Sequence, residues 1–60
     1  MTIVKTYKDP TAERQTITQK EAEADLETQG YYKPGTVQEI LDVGKPAMLF
    51  SPWATFDFRV

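Results

Sequence analysis

Sixty residues with nine acidic and seven basic side chains carry a formal charge of −2 and a sequence pI near 4.9. So short a chain makes one domain, spanning 1–60, and hides only about 60% of the surface its unfolded form exposes. Net acidity argues against a general nucleic-acid binder, and no apolar run approaches the ~20 residues of a membrane span. Met1 to Lys8 lacks the long apolar core of a signal peptide, so a soluble cytoplasmic protein is expected.

The first segment, Thr2 to Lys8, is rich in β-branched and aromatic residues and predicts a strand. Asp9-Pro10-Thr11-Ala12 suits a type I turn, with Pro setting φ at its second position. Glu13 to Ile17 then returns as a second strand, and a four-residue loop pairs Lys8 with Glu13 and Val4 with Ile17.

Two helix frames follow with the same punctuation. Thr18 with Glu21 forms one capping box and Thr36 with Glu39 another, each pairing a Thr oxygen and a Glu carboxylate with two orphan backbone donors. Gly30 and Gly44 supply the left-handed residues that stop the helices. Ala22 and Leu26 form a narrow apolar stripe on the first helix, with Tyr31 placed to close a Schellman motif against Leu26. Lys33-Pro34-Gly35-Thr36 reads as a type II turn. It feeds a second helix at about 37–43 whose apolar face is Val37, Ile40 and Leu41.

The carboxyl end predicts a hairpin, with Ser51-Pro52-Trp53-Ala54 as its turn. Pro52 cannot take a positive φ, so a tight two-residue turn is excluded. The longer loop pairs Phe50 with Thr55 and Leu49 with Phe56. Ala47, Leu49, Phe56 and Phe58 then share the core face. Met48 and Phe50 fall on the other face, beside Thr55, Asp57 and Arg59. The expected fold is α+β: a small two-layer β-β-α-α-β-β domain, with an antiparallel sheet and two short helices on one face. Strand order is not specified.

The chain has no His and no Cys, and its single Ser, Ser51, precedes Pro in a turn. That inventory offers no Ser–His or Cys–His pair, the usual start of a hydrolase site. No calcium-loop spacing or phosphate-binding glycine run is present. The expectation is therefore a non-enzyme with no catalytic residue, no metal and no cofactor.

Three features suit contact instead. Glu21, Glu23, Asp25 and Glu27 concentrate the acidity on one helix, as an acidic docking patch or simply a solubilising surface. Tyr32 and Lys33 between the helices, and Trp53 at a turn apex, are of interface-favoured type, or fold back over an undersized core. Met48 and Phe50 form an exposed stripe unless a loop covers them. The expected function is a small protein-interaction domain, an inhibitor, adaptor or regulatory subunit. Its candidate partner-binding residues are Tyr32, Lys33, Trp53, Met48, Phe50, Glu23 and Glu27, and its partner is another protein. The alternatives are single-stranded nucleic-acid binding through Phe50, Met48 and Arg59, and a homodimer through Met48 and Phe50.

Overall fold

The computed structural model describes all sixty residues. Strands β1 (Thr2–Tyr7) and β2 (Gln15–Ile17) lead into helix α1 (Gln19–Glu23), which widens into a π-helical turn over Ala24–Thr28. Helix α2 (Thr36–Val43) and strands β3 (Ala47–Phe50) and β4 (Ala54–Arg59) complete the chain. The four strands form one sheet in the order β2-β1-β4-β3, every neighbouring pair antiparallel. The β-β-α-α-β-β α+β architecture is the expected one. The two hairpins join through their outer segments, so the strands nearest the two ends of the chain, β1 and β4, lie at the centre. Their register runs from Thr2 opposite Arg59 to Tyr7 opposite Ala54.

Both helices press on one side of that sheet. Ala22, Leu26 and Val37 from the helices meet Ile3, Ile17, Ala54, Phe56 and Phe58 from the strands in one buried cluster. Ile40, Leu41, Ala47 and Leu49 pack around it. Phe56, Phe58, Leu26 and Val37 are the largest side chains fully removed from water. Each such burial contributes about 1.5–3 kcal/mol.

The carboxyl-terminal hairpin has the expected register, Phe50 opposite Thr55 and Leu49 opposite Phe56. The Ser51 N–H donates to the Ala54 carbonyl at 2.9 Å and closes the four-residue loop. The first hairpin is shifted by one residue from expectation. Ile17 lies opposite Ile3, not Val4, and Lys5 opposite Gln15, so no rung joins Lys8 to Glu13. A one-residue shift exchanges the faces. The observed register puts Ile17 on the same side as Ile3 and Phe58, where the core needs it. The Asp9 turn itself forms as expected, with the Ala12 N–H on the Asp9 carbonyl at 3.1 Å.

Helix α1 starts on its Thr18 cap, whose hydroxyl oxygen accepts from the Glu21 N–H at 3.2 Å. It ends in a full Schellman motif: Gly30 N–H to Glu27 C=O at 3.0 Å and Tyr31 N–H to Leu26 C=O at 2.9 Å, with Gly30 at φ +86°. The start of α2 differs from expectation. Gly35, at φ +94° in the type II turn, is the N-cap, and Thr36 is already helical. The Thr36 hydroxyl donates backwards to the Lys33 carbonyl at 2.7 Å, so the Thr36–Glu39 capping box does not form.

Candidate functional site

The carboxylates of the first helix are committed to holding the molecule together. Glu27 accepts from the Gly35 N–H through one oxygen and from the Val37 N–H through the other, each at 2.9 Å. A carboxylate from the end of one helix thus caps the positive end of the next. Asp25 meets the Lys5 ammonium at 2.6 Å, Glu23 accepts from the Gln19 amide at 3.1 Å, and Glu21 lies beside the Thr18 hydroxyl at 3.4 Å. The four charges diverge along the helix into four separate jobs. Glu23 and Glu27, expected as partner contacts, are partly exposed, and each already accepts hydrogen bonds within the chain.

The two tyrosines exchange their expected roles. The backbone of Tyr31 closes the Schellman motif, but its ring is 41% exposed and stays outside the core cluster. Tyr32 packs its ring against the core, and its hydroxyl accepts from the Phe50 N–H at 3.0 Å. In the β3–β4 ladder the Ser51 N–H faces β4, so the alternate positions 46, 48 and 50 face outward. Pro46 has no N–H to offer and Tyr32 occupies that of Phe50. The outer edge of β3 therefore keeps its carbonyls but has the Met48 N–H as its one remaining outward donor, which weakens it as a template for an added strand. At the other margin of the sheet, β2 is only three residues long.

Met48 and Phe50 come together as expected, on the sheet face that no helix covers. They are 47% and 55% exposed. Across the sheet they continue into Asp57, Val4 and Thr16 in one row, and into Thr55 and Thr6 in the next. Val4 at the centre is buried by these neighbours, while Thr2, Thr6, Thr16 and Arg59 are exposed. Asp57 and Arg59 make a loose pair at 3.4 Å. Trp53 stands 71% exposed at the apex of the adjoining hairpin, and Lys33 is exposed in its turn.

On the helix side, sequence reasoning passed over Lys5. It occupies an inward position between Ile3 and Tyr7, where alternation demands an apolar residue, and that break was the available signal. The ammonium sits 4.7 Å from the Tyr7 ring centre and 5.5 Å from that of Phe56. Burial opposes its charge. The hydrogen bond and attraction of Asp25, with a smaller contribution from Tyr7, outweigh that and hold the Lys5 pKa above its ordinary value. The pair floors a cleft of about 230 Å³ walled by Tyr31, Trp53 and Gln29. A second, more apolar groove of about 330 Å³ runs between α2 and the start of β3, along Ile40, Val43 and Pro46.

Ser51 is buried and fully occupied. Its hydroxyl oxygen accepts from the Trp53 and Ala54 N–H groups at 3.3 and 3.1 Å and donates to the Ala54 carbonyl. This binds the turn together and leaves no free hydroxyl beside a base. No helix is long and apolar enough to cross a membrane. The chain matches no protein-family model, and comparison with curated proteins and with solved structures finds no match.

Proposed function

We propose that this chain is a small non-enzymatic interaction domain that binds another protein through the uncovered face of its sheet. The observation that carries the reading is the Met48–Phe50 stripe, two large apolar side chains about half exposed on one strand of a face with no covering layer. Small proteins bury such side chains when they can, and a contiguous exposed pair marks a contact surface. The acidic helix contributes rigidity to this reading rather than contact, because its carboxylates already have internal partners. Trp53, exposed at the apex of the hairpin, walls the helix-side cleft over Lys5 and Asp25 and forms no part of this face. Arg59 is the one basic residue among the strand positions of that face and has Asp57 beside it, which favours protein over a phosphate backbone.

The test replaces Met48 and Phe50 together by Ser and compares affinity capture, read by mass spectrometry, with thermal unfolding. Captured protein should disappear while the unfolding midpoint moves by no more than a few degrees. An unchanged set of captured proteins would remove the proposal.

A further inference from the structure

The cleft over Lys5 and Asp25 lies on the helix side of the molecule, away from the Met48–Phe50 stripe. The geometry points to a guanidinium group as its ligand, held on the free oxygen of Asp25 and bounded by the rings of Tyr31 and Trp53.

The floor of the cleft sets the charge of the ligand. The Lys5 ammonium is spent on internal partners: Asp25 Oδ2 at 2.6 Å and the rings of Tyr7 and Phe56, 4.7 and 5.5 Å to their centres. The Lys5 side chain is 16% exposed and that of Asp25 37%, so the carboxylate is the charge an incoming group meets first. Its second oxygen, Oδ1, accepts no hydrogen bond within the chain, although a carboxylate has acceptor capacity well beyond one bond. By holding Oδ2, Lys5 fixes the carboxylate and presents Oδ1 in a set direction. Replacing an ion pair of this kind by apolar residues is often neutral or stabilising, so packing alone does not call for it. The formal charge of −2 favours the approach of a cation.

The walls set its shape. Tyr31 and Trp53 are 41% and 71% exposed and lie outside the core cluster. Aromatic rings beside a carboxylate suit a cation that the rings attract and the carboxylate orients. Gln29, four residues after Asp25, adds an amide oxygen to the lining. A guanidinium fits this set better than an ammonium does. Its planar fork of donors can serve both oxygens while it stacks on a ring, and it gives up its water more readily. The cleft holds about 230 Å³, below the roughly 300–1,000 Å³ of sites for drug-sized ligands. That volume suits a head group of side-chain size.

Trp53 is the only tryptophan of the chain, so its fluorescence reports on the site. Titration of the full chain with n-butylguanidinium at low salt should give a saturable change in the millimolar range. n-Butylammonium should bind several-fold more weakly, and acetate and methyl glucoside should give no change. Asp25→Asn should weaken n-butylguanidinium at least about tenfold. Glu39→Gln, which removes the same charge from an exposed position of α2, should leave it unaltered. Because Asp25→Asn also breaks the tie to β1, Tyr31→Ala provides a second measurement. It keeps the backbone bond of the Schellman motif and removes a ring outside the core, and it should weaken binding about two- to fivefold. No saturable change with n-butylguanidinium overturns the inference, and so does acetate or methyl glucoside binding as well as it does. Equal losses in Asp25→Asn and Glu39→Gln, or none in Tyr31→Ala, overturn it too. An acetyl-Gly-Arg-Gly-amide peptide that binds more tightly than free arginine assigns the site to an arginine side chain of another protein, and the reverse order to a free small molecule; either carries the guanidinium. The cleft includes neither Met48 nor Phe50, so its failure leaves the sheet-face reading standing.

Discussion

Replacing Glu27 by Ala removes the one carboxylate that serves two backbone donors at the start of α2, the Gly35 and Val37 N–H groups, each 2.9 Å away. Loss of a capping side chain costs about 1 kcal/mol. Losing a negative charge at the positive end of a helix adds about 0.3–1 kcal/mol. A second backbone donor left without its partner adds about 1 kcal/mol. The sum, about 2–3 kcal/mol, falls on a domain whose whole stability is about 3–5 kcal/mol, as expected for a core this small with no disulfide. Urea unfolding followed by far-ultraviolet circular dichroism should show the midpoint falling by half or more with its slope unchanged. Glu27→Gln keeps one acceptor oxygen and should lose about half as much.

Glu39→Ala is the informative control. A capping box on Thr36 would make Glu39 the residue that matters, whereas here it is exposed and the Thr36 hydroxyl points back to Lys33. Its removal should cost about 0.5 kcal/mol or less, as surface changes do. If Glu39→Ala lowers the midpoint as much as Glu27→Ala, or if Glu27→Ala lowers it not at all, the cap between helices is wrong.

Three further outcomes follow from single contacts. Tyr32→Phe deletes the acceptor of the Phe50 N–H. It should cost about 1 kcal/mol, speed hydrogen exchange at that amide, and increase strand-edge association in a light-scattering assay; unchanged exchange would show that the hydroxyl guards nothing. The Lys5 pKa is raised above 10.5, so its contribution is complete at lower pH and is lost as pH climbs through the folded value. Alkaline unfolding of wild type should therefore contain a component above about pH 10.5 that Lys5→Met lacks, and identical alkaline profiles would refute the linkage. The Thr11 N–H and hydroxyl both donate to the Asp9 carboxylate and hold its pKa below 3.8. The stabilisation this gives is present above 3.8 and lost as pH falls through the depressed value. Thr11→Val should move the Asp9 titration, read by NMR, back toward 3.8.

Local signals with one physical solution were legible in the sequence. Pro34-Gly35 can hardly be other than a type II turn, and the Gly30 and Gly44 stops follow from the left-handed residue a helix end requires. The alternation of Phe56, Phe58 and Val60 determined both the carboxyl-terminal register and the faces of Met48 and Phe50. The first hairpin was not legible in the same way, because Glu13 to Thr16 has no apolar residue to choose between registers. Its pairing is decided by Ile17 meeting Ile3 in a core assembled from distant segments. The cap on α2 was hidden for a related reason. Thr36 and Glu39 satisfy the local pattern, but Glu27, eight residues before Gly35, offers two oxygens and a full charge to the Gly35 and Val37 N–H groups and fixes the cap one residue earlier. Tyr31 and Tyr32 are equivalent by composition. Only the β3 edge, placed by the whole sheet, gives the second one its hydroxyl partner.

The same constraint explains why the proposed docking surface is the sheet and not the acidic helix. A two-layer domain of this size has a single interior, and its stability margin is a few kcal/mol. Polar groups able to join layers are therefore recruited to hold them together. Asp25 ties the helix to β1, Glu27 ties it to α2, Tyr32 seals β3, and Ser51 closes the last turn. Apolar groups obey the same rule wherever a second layer exists, as Leu49 and Phe56 do beneath the helices. Met48 and Phe50 break it because the helix layer lies on the opposite face and β3 passes directly into the short turn to β4. The pair is left as an exposed apolar stripe, the feature on which the proposed docking rests.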